Sequence, residues 1–120
     1  MKEAGREILL GFWKAHILHH AGEPQGVHGQ WVLEELRGHG YRLSPGTLYP
    51  LLDRMERLGW LRGRRAGPGA RSRKDYRLTT AGRAVLAVVR GKLRELHREL
   101  VDEAESGARG RSRPKRSRRR

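Results

Sequence analysis

The stretch LSPGTLYPLLDRMERLGW, residues 43–60, decides how the rest of the chain is read. Leu48, Leu51, Leu52, Met55 and Leu58 recur at helical spacing, Ser44 before Pro45 is the pair favoured at an N-cap and first turn, and Gly59 supplies a stop. A helix is therefore predicted over about Pro45–Leu58. With Leu48, Leu52 and Met55 facing inward, Gly46, Pro50, Asp53 and Arg57 must point outward, with Thr47, Tyr49 and Arg54 on the flanks. Pro50 fits only near a helix start, because it deletes a backbone donor and crowds the preceding turn. Gly46 and Pro50 keep this face low, so another backbone can approach the first turn, where unpaired amides and the helix dipole favour a phosphate. Taken alone, the stretch reads equally well as an ordinary amphipathic helix that Ser44 and Pro45 merely start.

The flanking sequence separates the two readings. Upstream, Leu9, Leu10, Trp13, Ile17 and Leu18 define a helix between Glu3 and Ala21 that Gly22 and Pro24 end. Gly26–Gly29 reads as a loop or helix start. Trp31, Val32 and Leu36 then give a short second helix, closed by Gly38 and Gly40, with Glu34 and Glu35 outside. Downstream the period changes: Trp60–Arg65 can extend as a strand, AGPGARSR cannot continue it, and Lys74–Leu78 is a second extended run. The result is a β-hairpin with a long basic tip. Thr79 and Thr80 offer N-caps to a last helix in which Leu86, Val89, Leu93, Leu96 and Leu100 step alternately by three and four. Such a seam wants another helix. The alternative is a stripe packed back on the first helix, but Val85 and Val88 beside it widen the apolar face and favour a partner surface.

A chain of 120 residues allows one compact domain. Lys and Arg outnumber Asp and Glu by 27 to 13, for a formal charge of +14, which a polyanion such as nucleic acid or an anionic membrane would feel strongly. Residues 107–120 carry eight of these cations and no acid, leaving +6 for the rest. After Ser106 there is only aperiodic Gly, Ser, Pro and Arg, so a disordered basic tail is expected. The absence of cysteine removes disulfides and thiolate metal sites. Ile8–Trp13 is preceded by Glu3 and Glu7 and broken by Lys14, which matches neither a signal peptide nor a membrane span, so a cytoplasmic location is expected.

Three helices followed by a two-stranded hairpin is the order of a winged helix-turn-helix, a mainly α fold with a small β-hairpin. The expected division is a DNA-binding unit over 1–79, a C-terminal dimerisation helix over 80–105 and the tail over 106–120. The third helix would read double-stranded DNA through Ser44, Gly46, Thr47, Tyr49, Pro50, Arg54 and Arg57. Residues 62–77 hold seven basic side chains against one acid, Asp75. A solvated charge run is the usual account of such density; directly after a recognition helix it reads better as a wing touching phosphate or minor groove through Arg64, Arg65, Arg71, Arg73 and Lys74.

At these residues the sequence resembles the PadR family of bacterial transcription regulators. LSPGTLYPLLDRMERLGWL resembles the family's recognition-helix signature and YRLTTAGR, residues 76–83, its junction between wing and helix. The resemblance covers roughly Glu7 to Leu100. It implies a homodimer of the type with one long C-terminal helix, which packs with the first helix across the dimer axis through the Leu86, Val89, Leu93, Leu96 and Leu100 seam. It also implies repression of an adjacent gene, released by a small-molecule effector or a stress signal. Two features depart from the family: the Gly-rich tip AGPGARSR, expected to be mobile until DNA orders it, and the Arg-rich tail, which reads either as a solvated terminus or, the favoured account, as a source of salt-dependent affinity for any DNA.

Other chemistry is thinly represented. His16, His19 and His20 have the i, i+3, i+4 spacing of a metal pair, but no cysteine, neighbouring carboxylate or second histidine pair is read as completing a site, so neither metal nor cofactor is expected and surface or interface histidines are the favoured account. Trp13, Trp31 and Trp60 are expected in the core. The last helix carries no aromatic residue, which leaves Phe12 and Trp13 as the aromatic walls of any effector pocket. Gly67 and Gly69 do not form a phosphate loop between strand and helix, and no nucleophile stands with a base, so an enzyme is not expected. The readings carried forward are a sequence-specific dimeric repressor and, against it, a sequence-tolerant nucleic-acid binder or a winged-helix module for protein contact.

Overall fold

The computed structural model describes residues 2–110. Helix α1 spans Lys2–Ala21, strand β1 Val27–His28, α2 Gly29–Gly38, α3 Pro45–Arg57, β2 Leu61–Arg65, β3 Lys74–Leu78 and α4 Thr80–His97. A π-helical segment over Arg98–Glu103 follows, and then α5 over Ala104–Gly110. The first three expected helices and both wing strands are present within a residue or two of the sequence reading, whereas the last helix, expected as one element over 80–105, ends as an α-helix at His97 and continues through the π segment into α5.

The sheet holds one more strand than expected. β3 lies centrally, with β2 on one side and β1 on the other, all antiparallel. Val27 pairs with Tyr76 and His28 with Asp75, so the segment read as a loop or helix start first docks on the wing and then opens α2. Gly26 makes this possible: its φ is +69°, and a Cβ there would lie 2.6 Å from the Tyr76 carbonyl oxygen. Two residues are too few to show an alternating pattern, which is why β1 leaves no sequence signal.

One compact unit closes at Leu86, within α4, and a second begins at Ala87. The core of the first is built from Trp13, Ile17 and Leu18 of α1, Val32, Leu33 and Leu36 of α2, and Leu48, Leu51, Leu52 and Met55 of α3. Ala21, Val27, Leu43, Leu61, Tyr76, Leu78 and Leu86 complete it. Leu58 does not join this stripe as expected: it is the C-cap of α3 and is exposed. Of the three tryptophans only Trp13 is buried, while Trp31 and Trp60 are half-buried. Thr79 performs the expected capping of α4, its hydroxyl accepting from the Gly82 N–H at 2.9 Å.

The second unit begins within α4 and continues through the π segment and α5. Leu93, Leu96, Leu100 and Val101 are exposed along it. Ser106–Gly110 is helical, so order extends past the residue at which the composition turns aperiodic. The remainder of the expected tail, 111–120, lies outside the described residues. Among those described, no helix is long and apolar enough to cross a membrane.

Candidate nucleic-acid interface

The candidate site is built where the turn between α2 and α3 delivers α3. Gly40, at φ +93°, reverses the chain after α2, and the Tyr41 N–H bonds back to the Leu36 carbonyl at 3.1 Å. The Arg37 guanidinium fixes the next step, donating to the Leu43 carbonyl from Nε at 3.3 Å and from a terminal nitrogen at 3.1 Å. Ser44 then stands at the N-cap, but its side chain makes no cap hydrogen bond; its carbonyl accepts from the N–H groups of Thr47 and Leu48. The side-chain capping expected of Ser44 is thus absent, and its hydroxyl is left at the helix start.

Gly46, Pro50, Asp53 and Arg57 are exposed, as are Tyr49 and Arg54. Pro50 is the sixth helical residue, so the Gly46 carbonyl lacks its usual i+4 donor while the helix runs on through the proline. Thr47 is half-buried, and its hydroxyl accepts from Arg6 of α1 at 3.1 Å. Arg6, Arg37, Arg42, Ser44 and Thr47 line one depression of about 550 Å³ at the start of α3. The sequence reading did not find Arg6, Arg37 or Arg42, because they come from three separate segments and share no spacing.

Tyr49 owes its position to a glycine. A Cβ on Gly29, the buried first residue of α2, would lie 2.3 Å from Tyr49 Cε1, so the ring occupies space that any other residue would fill. The ring also borders a groove of about 460 Å³ between α3 and the wing, lined by Gln30, Asp53, Arg65, Arg71 and Arg73 among others.

The five wing cations divide by partner. Lys74 Nζ lies 2.9 Å from Glu56 Oε1 on α3 and 5.5 Å above the Tyr76 ring. Arg73 pairs with Asp75 at 3.0 Å, and Arg65 donates to the Ser72 carbonyl at 2.9 Å. Arg64 and Arg71 are exposed. The Gly-rich tip is tied together: Ala66 N–H donates to the Arg73 carbonyl at 2.7 Å, and the Ser72 hydroxyl lies 2.9 Å and 2.7 Å from the Gly67 and Gly69 carbonyls. Burial pushes the Glu56 carboxyl up, but hydrogen bonds from Lys74 and the Gly63 N–H, with the charges of Lys74 and Arg65, outweigh it and hold the group below the usual carboxylate value. Glu56 thereby ties the wing to α3. Burial first, then the nearby carboxylates Asp53 and Glu56, raise the Tyr76 phenol to about 12.

The remaining expected residues fall apart spatially. Trp13 is turned into the core at 3% exposure, its ring edge-on to Tyr41, whereas Phe12 is 43% exposed. Neighbours on one helix point about 100° apart, so the two do not form facing walls of one pocket. Of the expected seam, Leu86 is buried within its own unit and Val89 half-buried, while Leu93, Leu96 and Leu100 are exposed.

A three-helix body with a hairpin after its third helix defines a winged helix-turn-helix protein. Its sequence matches the Transcriptional regulator PadR-like family over residues 17–88. It is 48% identical over 96 residues to Transcriptional regulator Rv3488 of Mycobacterium tuberculosis, an overlap that covers 80% of this chain and 89% of that protein. The crystal structure of a PadR family transcriptional regulator from Eggerthella lenta is similar at a TM-score of 0.70 and 29% identity, covering 87% of this chain and 91% of that one. A PadR family transcription regulator from Clostridium difficile, at 21% identity and a TM-score of 0.67 over 78% of this chain and 98% of its own, shares the fold. The chain belongs to the PadR-like family of transcriptional regulators. It is a regulator and not an enzyme.

Proposed function

We propose that the protein is a homodimeric repressor that binds one DNA operator sequence-specifically through α3, with the wing beside it on the backbone. The observation that carries this reading is the first two turns of α3, where Gly46 and Pro50 keep the surface low and Arg6, Arg37 and Arg42 converge around Ser44 and Thr47. Phosphates fit that cationic end, and base edges are left to Thr47, Tyr49, Arg54 and Arg57. In the wing, Arg64 and Arg71 extend to DNA, while Arg65, Arg73 and Lys74 shape the hairpin through their internal partners. Exposure of Leu93, Leu96 and Leu100 supports a second copy as partner, since a soluble helix rarely leaves such a seam in water. Release by a small-molecule or stress signal belongs to the same reading and rests on the family resemblance.

Eight cations in residues 107–120 favour a second reading, a sequence-tolerant DNA binder driven by its tail. Binding of the full chain and of a chain lacking 107–120 to the protein's own upstream DNA, against scrambled competitor at ~0.15 M salt, separates the two. Selective binding that survives the deletion supports the repressor. Loss of binding or of preference moves the contact to the tail.

A further inference from the structure

The histidines of α1 are drawn into a cluster that the sequence reading did not complete. His20 Nδ1 lies 3.3 Å from Glu23 Oε2, and His20 Nε2 lies 3.3 Å from Glu35 Oε2 on α2. Ligand atoms of His19, His20 and Glu23 all fall within 4.8 Å of one another. The expectation that no carboxylate stands beside these histidines is therefore corrected: Glu23 lies in the turn just after α1, its N–H bonded back to the His20 carbonyl, and packing of α2 on α1 supplies Glu35.

We propose that His19, His20 and Glu23 form a binding site for a divalent transition-metal ion, zinc by its ligand set, with Glu35 orienting His20 from behind. Two features point to a cation. A neutral imidazole has one N–H, so with a carboxylate at each nitrogen one contact sets a lone pair against an anion. A metal at Nδ1 removes that conflict, leaving Nε2–H to donate to Glu35 in the carboxylate–histidine–metal arrangement that fixes ring and tautomer. The geometry also agrees: tetrahedral bonds of ~2.0–2.1 Å set ligand atoms roughly 3.3 Å apart, the separation found between His20 Nδ1 and Glu23 Oε2. His19 is exposed, so its ring closes the remaining gap by a side-chain rotation, and water fills the fourth position. His20 is 16% exposed, with its ring 5.1 Å from that of Trp31, so one ligand is already held rigidly.

The rival account is a protonated His20 bridging two carboxylates with no metal. Calorimetric titration of the tag-free full chain with zinc near pH 7.5, alongside thermal unfolding with and without zinc, distinguishes them. The proposal expects saturable uptake of one ion per chain and a raised unfolding midpoint. Uptake should weaken at least tenfold in His19→Ala and Glu23→Gln and ~10–100-fold in Glu35→Gln, and stay unchanged in His97→Ala. Absence of saturable uptake, or uptake undiminished in His19→Ala and Glu23→Gln, overturns it. His19 is exposed, so that variant remains informative if substitution at the more buried His20 impairs folding. The titration contains no DNA, so its outcome is independent of the proposed operator binding.

Discussion

At the scale of single residues, α3 is governed by what its neighbours lack. Gly29 leaves room for the Tyr49 ring, and the atoms in the way of an added methyl belong to a side chain that can swing aside. Gly29→Ala is therefore expected to displace Tyr49 and alter operator preference while the fold survives, measured by competition binding alongside thermal unfolding. Gly82 is the contrast: a Cβ there would meet the Trp60 carbonyl oxygen at 2.2 Å, a backbone atom that cannot step aside. Gly82→Ala should cost ~1–3 kcal/mol of stability, as overpacking does, read by denaturant unfolding. Thr47→Ala or Tyr49→Ala should remove ~1–3 kcal/mol of discrimination between operator and other DNA and leave non-specific binding largely intact. Equal loss on both DNAs would show these residues to be phosphate contacts.

At the scale of elements, the wing is held in register with α3 by Glu56, which takes Lys74 and the Gly63 N–H together. Because its folded pKa is lowered, this tie contributes stability fully above the ordinary value of 4.5 and loses it as pH falls through the folded value. Stability measured from pH 7 down to 3 should thus show wild type converging on Glu56→Gln in acid. Tyr76 has the opposite sign: its raised pKa favours folding below 10 and the benefit disappears as pH rises through about 12. Ultraviolet titration should show a tyrosine ionising near 12 that is lost in Tyr76→Phe. The helical C-terminal stretch has its own local logic. His97 and Asp102 stand five residues apart, out of reach on an ordinary helix face, yet approach to 3.7 Å across the wider π turns.

At the scale of the whole molecule, the proposed dimer and the charge make separate predictions for binding. A twofold dimer predicts a palindromic operator with half-sites ~34–36 Å apart. Leu93→Arg puts a charge into the exposed seam and should yield monomers by sedimentation, together with loss of tight operator binding. A dimer that persists would place the interface elsewhere. The tail should act through salt: deleting 107–120 lowers the slope of log affinity against log salt by ~0.9 for each phosphate it neutralises.

The sequence by itself determined the order and type of the main elements, because helices α1 to α4 carry long apolar periods and the wing is bracketed by Gly, Pro and Thr. It also displayed the outward face of α3, since helical phase follows from the buried leucines. Tertiary structure alone decided the rest. β1 is too short to show a period, and it pairs only because Gly26 brings the chain against Tyr76. Arg6, Arg37 and Arg42 meet at α3 from distant segments, and Lys74, read as a DNA contact, is engaged by Glu56. Trp13 and Phe12, adjacent in sequence, part because one helix face is buried and the next is not. Glu35 reaches His20 only through the packing of α2 on α1. Periodicity records which face of an element is buried, while long-range contacts between polar side chains have no period and exist only once the core has placed their backbones.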